Sequence, residues 1–347
     1  MIDSPRPNPN EWLDWLSRPR KLVAVGHMNP DGDAIGSTLG LKHLLEPLGH
    51  EVQVVVPTPK PNYMNWAPGF NTIWDAFQNE KEVLNAIAEA DAIFCMDFGV
   101  LSRAKSLEEP IAQAAGFKVN IDHHMDYEPF AQYEIRDIAA SSTCELVYRM
   151  ARLLPQKPHI NADCANCLYA GISTDTGSFR HRNASAHTLR IAADLIEAGA
   201  DVEFVNYGLY SCQTENRLRL TGFCLLERLK VLEQFKTAYI SINAKEYEQF
   251  NIQPGDTEGL VNLALSVDGV NLGVLLVERP DSVRLSFRSM GKFPANQLAA
   301  HFNGGGHYNA AGGRSQESIE TTEIKLLNLL QQYESQLNYK PFEIHSS

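Results

Sequence analysis

Four separated segments of this chain each close an apolar or helical run on carboxylate or imidazole residues, and that recurrence constrains the fold more than any other feature. Lys21-Leu-Val-Ala-Val-Gly-His27, Ala92-Ile-Phe-Cys-Met-Asp97 and Phe117-Lys-Val-Asn-Ile-Asp122 are short apolar runs that end on polar residues. A run apolar on both sides reads as a strand buried on both faces of a parallel sheet. Glu51-Val-Gln-Val-Val-Val-Pro57 is a further strand. Helical periodicity occupies 33–48, stopping at Gly49, and recurs over 81–90, 141–154 and 162–172. Strands alternating with helices predict an α/β domain with a doubly wound parallel sheet, whose ligands bind at the carboxyl ends of the strands.

The second half repeats the theme on a smaller scale. Residues 184–235 read as mostly helical. Strands are then expected over 237–243, 271–277 and 282–289, and helices over 257–265, 294–301 and 319–332. A chain of 347 residues fits two domains. The expected division is one domain over 1–200 and a second over 216–347, with a helical connector near 195–215.

The net charge of -12 argues against a protein that coats long nucleic acid, since such binding draws on a basic surface. Long-duplex DNA binding is not expected. Cys164 and Cys167 form a C-x-x-C, but no second pair stands at zinc-finger spacing and their neighbours are apolar at helical spacing, so buried thiols are expected. No apolar stretch reaches membrane-span length and the N-terminus has no signal-like apolar region. A cytoplasmic protein without membrane partners is the expectation.

The polar strand ends carry the chemistry. His27-Met-Asn-Pro-Asp31-Gly-Asp33 follows the first strand, and Pro30 with Gly32 forces a tight turn. Asp31 and Asp33 in isolation fit turn and helix-cap residues equally well. Asp97 ends the third strand, Asp122-His123-His124 the fourth, and Asp175 sits where a helical run breaks. Strand ends of one sheet lie side by side, so His27, Asp31, Asp33, Asp97, His123 and Asp175 form one oxygen-and-nitrogen donor set without sulfur. That set suits two divalent ions, with the imidazoles favouring Mn2+ over Mg2+, provided that one carboxylate bridges. Asp97, on a central strand, is the choice for the bridge. His124 could polarise a phosphate or protonate a leaving oxygen, and Asp122 could orient a ligating histidine.

These segments, in this order, resemble the DHH phosphoesterase family, for which Asp122-His123-His124 is the namesake motif. His27-x-x-x-Asp31-x-Asp33 is similar to its first motif, Asp97 to its second and Asp175 to its fourth. Phe302-Asn-Gly-Gly-Gly-His307 resembles the Gly-Gly-Gly-His signature of the DHHA1 domain, with Arg288-Ser289 on a preceding strand. The resemblance implies His27, Asp31 and Asp97 on one metal, and Asp33, Asp97, His123 and Asp175 on the other. It implies substrate contacts from Arg288, Ser289, Gly304, Gly305, Gly306 and His307. Arg103 is a candidate second phosphate contact, and Arg180, His181 and Arg182 follow the Asp175 loop.

A compact DHH plus DHHA1 chain resembles the nano-RNase and pAp-phosphatase branch. The implied activity is hydrolysis of very short oligonucleotides such as pApA, of 3′-phosphoadenosine 5′-phosphate, or of both. The alternatives are a RecJ-like single-strand exonuclease, a cyclic-dinucleotide phosphodiesterase, and a non-catalytic nucleotide-binding regulator. Relatives of this kind often pair, so a homodimer is compatible with the resemblance.

Overall fold

The computed structural model describes residues 14–253 and 255–340. Residues through Cys212 and residues from Gln213 onward pack as two compact units. Among the described residues, no helix is long and apolar enough to cross a membrane.

In the first unit the elements run β1 (Lys21–Val25), α1 (Gly32–Leu45), β2 (Glu51–Val56), β3 (Trp74–Asp75), α2 (Glu80–Glu89), β4 (Ala92–Met96), α3 (Glu108–Gln113), β5 (Phe117–Asp122), β6 (Tyr133–Arg136), α4 (Thr143–Leu153), α5 (Ala162–Asp175), α6 (Ala186–Glu197) and α7 (Val202–Asn206). The strands form one sheet in the order β3-β2-β1-β4-β5-β6, and every pairing in it is parallel. All five residues of β4 are buried, as expected for an apolar run covered on both faces. Leu22 and Ala24 pack on one face with residues of α1, α4 and α5, while Val23 and Val25 pack on the other with Val83, Ile87 and Ile111 of α2 and α3. The chain winds outward from β1 to β2 on one side and to β4 on the other. That reversal leaves a crevice at the carboxyl ends of β1 and β4.

Helices α1 and α5 cross at unusually close range. A methyl group on Gly32 would lie 2.5 Å from Thr174 Cγ2, one on Gly36 2.5 Å from the Cys167 carbonyl oxygen, and one on Gly40 2.4 Å from Leu168 Cδ2. The glycines recur every four residues, so they fall on one helix face. Their absent side chains bring the N-terminus of α1 against the C-terminus of α5. Cys164 and Cys167 are buried within α5, and burial pushes the Cys164 thiol up to about 12.

The second unit continues with α8 (Glu215–Phe223), β7 (Leu229–Leu232), β8 (Thr237–Ile242), α9 (Ala244–Gln249), α10 (Leu260–Leu265), β9 (Leu272–Arg279), β10 (Ser282–Ser289), α11 (Ala295–Ala300), β11 (Gly305–His307), β12 (Ala310–Ser315), α12 (Ile319–Gln332) and α13 (Glu334–Leu337). Its sheet has the order β11-β12-β10-β9-β8-β7, with only β8 and β9 paired in parallel. Sequence patterning predicts β8, β9, β10 and α12 but not β6, β7, β11 or β12. β6 and β7 carry no fully buried residue, and β11 and β12 are rich in glycine and alanine, so none shows an apolar strand signal.

Two glycine substitutions test the helix crossing with opposite signs. Gly36→Ala is expected to destabilise the protein by about 1–3 kcal/mol through overpacking, lowering Tm by about 2–4 °C per kcal/mol. Gly222→Ala, on α8 with nothing within 4 Å of the new methyl group, is expected to gain about 0.5–1 kcal/mol from the lost flexibility of the unfolded chain. Thermal unfolding of both variants beside the parent checks the pair.

Candidate metal centre

The crevice between β1 and β4 holds the site. His27 lies just beyond β1, and its Nδ1–H donates to the Met28 carbonyl at 2.8 Å. That bond commits Nδ1 and leaves Nε2 to take a proton or a cation, 3.4 Å from Asp97 Oδ2 and 3.9 Å from Asp31 Oδ1. Nε2 is buried and has no hydrogen-bond partner. His123 repeats the arrangement from β5. Its Nδ1–H donates to the Ala140 carbonyl at 3.2 Å. Its Nε2 faces Asp175 Oδ2 at 3.1 Å, Asp97 Oδ1 at 3.6 Å and Asp33 Oδ2 at 3.8 Å. Backbone carbonyls thus aim both imidazoles into a group of carboxylates, the orientation that metal-ligating histidines take.

Asp97 stands between the two. It follows β4 with φ 66°, a left-handed conformation that Asp tolerates better than most residues. Its amide donates to the Ile121 carbonyl at 2.9 Å, and Thr143 Oγ1 donates to its Oδ1 at 2.8 Å. One carboxylate oxygen therefore faces His27 and the other faces His123 and His124.

The remaining carboxylates are held by helix ends. Asp31 is the N-cap of α1, its Oδ1 accepting from the amides of Asp33 and Ala34 at 3.1 Å each. The cap reading and the donor-set reading of Asp31 are therefore both satisfied by one side chain. Asp33 is fully buried, and its carboxylate accepts from the amides of Thr143 at 2.6 Å and Cys144 at 3.0 Å, at the N-terminus of α4. The partial positive charge there favours an anion. Asp175 is the last residue of α5, which continues beyond the expected end at residue 172. A helix C-terminus does not favour a carboxylate, so its charge relies on His123 or on a cation.

The electrostatics record that dependence. Burial, followed by repulsion from Asp97 and Asp175, raises the Asp33 pKa well above the carboxylate range. Burial opposes ionisation of Asp97 too, but His27, His124 and His123 outweigh it and hold Asp97 well below that range. Burial opposes protonation of His27 and His123, yet the facing carboxylates leave both imidazoles with raised pKa values. The crevice needs positive charge, and protons supply it where a cation would otherwise sit.

Three donor groups have ligand atoms mutually within 4.8 Å: His27 with Asp31 and Asp97, Asp33 with His123 and Asp175, and Asp97 with His123 and His124. The unpartnered Nε2 of His27, the sulfur-free donors and the unneutralised carboxylates all fit divalent cations of the manganese or magnesium kind.

The other predicted residues divide. Asp122, fully buried, accepts the Nδ1–H of His124 at 2.8 Å, so it orients His124 rather than the ligand-type His123. Arg103 lies in a 3-10 helix (Leu101–Leu107), and its carbonyl accepts from Met28 N at 2.9 Å. Its charge acts on His27, and its Nε is buried without a partner. In the second unit, Arg288 Nη1 donates to the Phe287 carbonyl at 3.0 Å. Ser289 is buried, donating to the Phe293 carbonyl at 2.6 Å and accepting from Asn309 at 2.8 Å. Gly305 and Gly306 pair with Gly312 and Ala311 across β11 and β12, and a methyl group on Gly304 would lie 1.9 Å from the Gly312 carbonyl oxygen. Close strand packing alone thus accounts for glycine at Gly304. The side chain of His307 lies outside the described residues. Arg180, His181 and Arg182 are exposed after a left-handed stretch over Gly177, Ser178 and Phe179.

Sequence reasoning missed Thr143, Asn183 and Arg136. Thr143 follows Ser141-Ser142 at the start of a helical run, a cap signal that marks the position but not its bond to Asp97. Asn183 Nδ2 bridges the carbonyls of Ser141 at 3.0 Å and Asp175 at 3.2 Å. Arg136 sits on a strand with no apolar pattern and gave no signal.

Residues 21–172 match the N-terminal domain of the DHH family, and residues 234–338 match the DHHA1 domain. The chain is 30% identical over 296 residues to the bifunctional oligoribonuclease and PAP phosphatase NrnA of Bacillus subtilis, covering 84% of this chain and 88% of that one. It is 28% identical over 343 residues to the protein of the same name from Thermus thermophilus, covering 96% and 95%. The crystal structure of an exopolyphosphatase-related protein from Bacteroides fragilis superimposes with a TM-score of 0.89 at 36% identity, covering 95% of this chain and 97% of that one.

Two measurements test the cation reading. Mn2+ must displace protons from His27 and His123, so titration calorimetry in buffers of different ionisation enthalpy should show proton release at neutral pH. The apparent affinity should rise from about pH 6 to about pH 8. Asp31→Asn keeps an equally good N-cap but removes a charge. The metal-free variant should melt within about 0.5 kcal/mol of the parent or above it, while the Tm gain from added Mn2+ shrinks.

Proposed function

This chain belongs to the DHH family, with a DHHA1 domain behind the DHH domain, and from that membership we propose that it hydrolyses phosphate esters of very short oligonucleotides and of 3′-phosphoadenosine 5′-phosphate. The observation that carries the reading is the position of Asp97, whose two carboxylate oxygens face different imidazoles in two donor groups. His27, Asp31 and Asp97 would hold one divalent ion, and Asp33, Asp97, His123 and Asp175 the other, Mn2+ fitting these donors better than Mg2+. When bound, such a pair supplies an activated water and charge stabilisation at the leaving oxygen.

The chain's own residues supply the rest. Thr143 and the Ile121 carbonyl fix Asp97 so that neither oxygen can turn away. His124, with its Nδ1–H on Asp122, is oriented to give a proton to the leaving oxygen. Arg103 offers a cation beside His27 for a phosphate oxygen, its buried Nε lacking a protein partner. Arg288, in the DHHA1 domain, is the proposed grip on a further phosphate. A net charge of -12 leaves only such local cations for binding, which supports short substrates over long strands. The free cysteines, five of them buried, fit a reducing cytoplasm.

The test is hydrolysis of pApA, pAp, a 24-nucleotide single strand and inorganic polyphosphate, with Mn2+ and with Asp97→Ala as control. AMP should appear from pApA and from pAp with the parent protein only, with the 24-mer spared. Loss of activity in Asp97→Ala should exceed about 100-fold, since the variant removes a carboxylate shared by two donor groups. Preference for the 24-mer or for polyphosphate would replace this reading, and no turnover of any substrate by metal-loaded protein would refute it.

A further inference from the structure

We infer that Arg136 is a positioning residue that acts through Asp122 to hold His124 as a proton donor and to keep it out of the metal-ligand set. The inference rests on the role given to His124 above. Arg136 ends β6 directly beside Asp122 in the sheet register. Its Nε and Nη2 both lie 3.2 Å from Asp122 Oδ2, and Nη2 also donates to the His124 carbonyl at 2.6 Å. The guanidinium packs over the Tyr127 ring at 3.9 Å, and its side chain is only 17% exposed.

This geometry divides the two oxygens of Asp122. Oδ2 receives the guanidinium and Oδ1 receives the His124 Nδ1–H at 2.8 Å. A fully buried carboxylate is costly unless paired, and Arg136 supplies the pairing cation. Gly99 makes the room, since a methyl group there would lie 2.9 Å from Asp122 Oδ2. Arg136 thus holds the Asp122 carboxylate in place, with Oδ1 turned to accept the His124 Nδ1–H.

The consequence concerns which residues can ligate. His124 Nδ1 lies 3.6 Å from Asp97 Oδ1 and belongs by distance to a donor group with Asp97 and His123. A nitrogen that donates to Asp122 has no lone pair for a cation, so the Arg136–Asp122 pair removes His124 from that group. His124 then reacts at Nε2. As the ester P–O bond breaks, the leaving oxygen takes the Nε2 proton. The imidazole is left neutral with its Nδ1–H still on Asp122, and the attacking water contributes hydroxide to phosphorus and its other proton to solvent.

The experiment compares Arg136→Gln and Arg136→Lys with the parent protein. In metal-free, histidine-labelled protein, the ring Nδ1–H resonance of His124, assigned by its loss in His124→Asn, should persist in Arg136→Lys and vanish or move in Arg136→Gln. On pApA, Arg136→Gln should lower kcat about 100-fold with KM held within about twofold, and Arg136→Lys should recover part of that loss. A p-nitrophenyl ester of AMP needs no protonated leaving group, so on it Arg136→Gln should lose less than about threefold. An unchanged His124 resonance in Arg136→Gln, or equal losses on both esters, would overturn the inference. If the parent protein turned over neither ester, the proposed activity would fall, while the resonance would still decide whether Arg136 positions His124.

Discussion

Helices α1 and α5 touch along Gly32, Gly36 and Gly40, and the candidate metal centre depends on that contact. Side chains at these positions would hold the two helices apart. Asp33, one residue into the stripe, and Asp175, at the end of α5, would then separate, and His123 would no longer face both. The sheet alone brings His27, Asp97 and His123 together, because β1, β4 and β5 are neighbours. It cannot bring in Asp33 and Asp175, which reach the crevice from helices. The second donor group therefore depends on a helix that lacks side chains along the line where it crosses another.

Such a cluster has to be held against its own repulsion. The fold meets this in three ways. The start of α4 donates two amides to the Asp33 carboxylate. Two backbone carbonyls pin the imidazoles so that they face the acids rather than solvent. Asp97, left-handed after β4, is held by Thr143 with one oxygen toward His27 and the other toward His123. Each device fixes geometry before any cation arrives, and preorganised donors lose little freedom on binding. What remains unfavourable is net charge, and that residue of repulsion is what a divalent cation would relieve.

The legibility of all this in the sequence was uneven, for physical reasons. Buried parallel strands advertise themselves as apolar runs, so β1, β2, β4 and β5, and the polar residues at their ends, could be read directly. Edge strands such as β6 and β7 are half-covered, and β11 and β12 are built from glycine and alanine. None of these concentrates hydrophobicity, and none was anticipated. The donor residues could be named because ligand chemistry restricts residue type. Their support could not. Thr143, Asn183 and Arg136 act by hydrogen bonds to partners 46, 8 and 14 positions away, and such bonds leave no local pattern. The assignment of Asp122 to a ligating histidine illustrates the limit. Adjacency in Asp122-His123-His124 made either imidazole available, and only the path of the chain beyond β5 pairs residues 122 and 124.

That same turn of the chain lets the two imidazoles of one short motif face different partners. His123 and His124 project differently from the end of β5, their rings inclined at 71°. His123 turns inward to Asp33, Asp97 and Asp175, where the second donor group forms. His124 turns to Asp122, where a carboxylate held by a guanidinium accepts its Nδ1–H. A buried imidazole beside a group of carboxylates can offer its lone pair to a cation. Only a committed hydrogen bond at the near nitrogen prevents that. Burying Asp122 beside Arg136 keeps the near nitrogen of His124 committed to Asp122, within a few ångströms of a donor group that it would otherwise join.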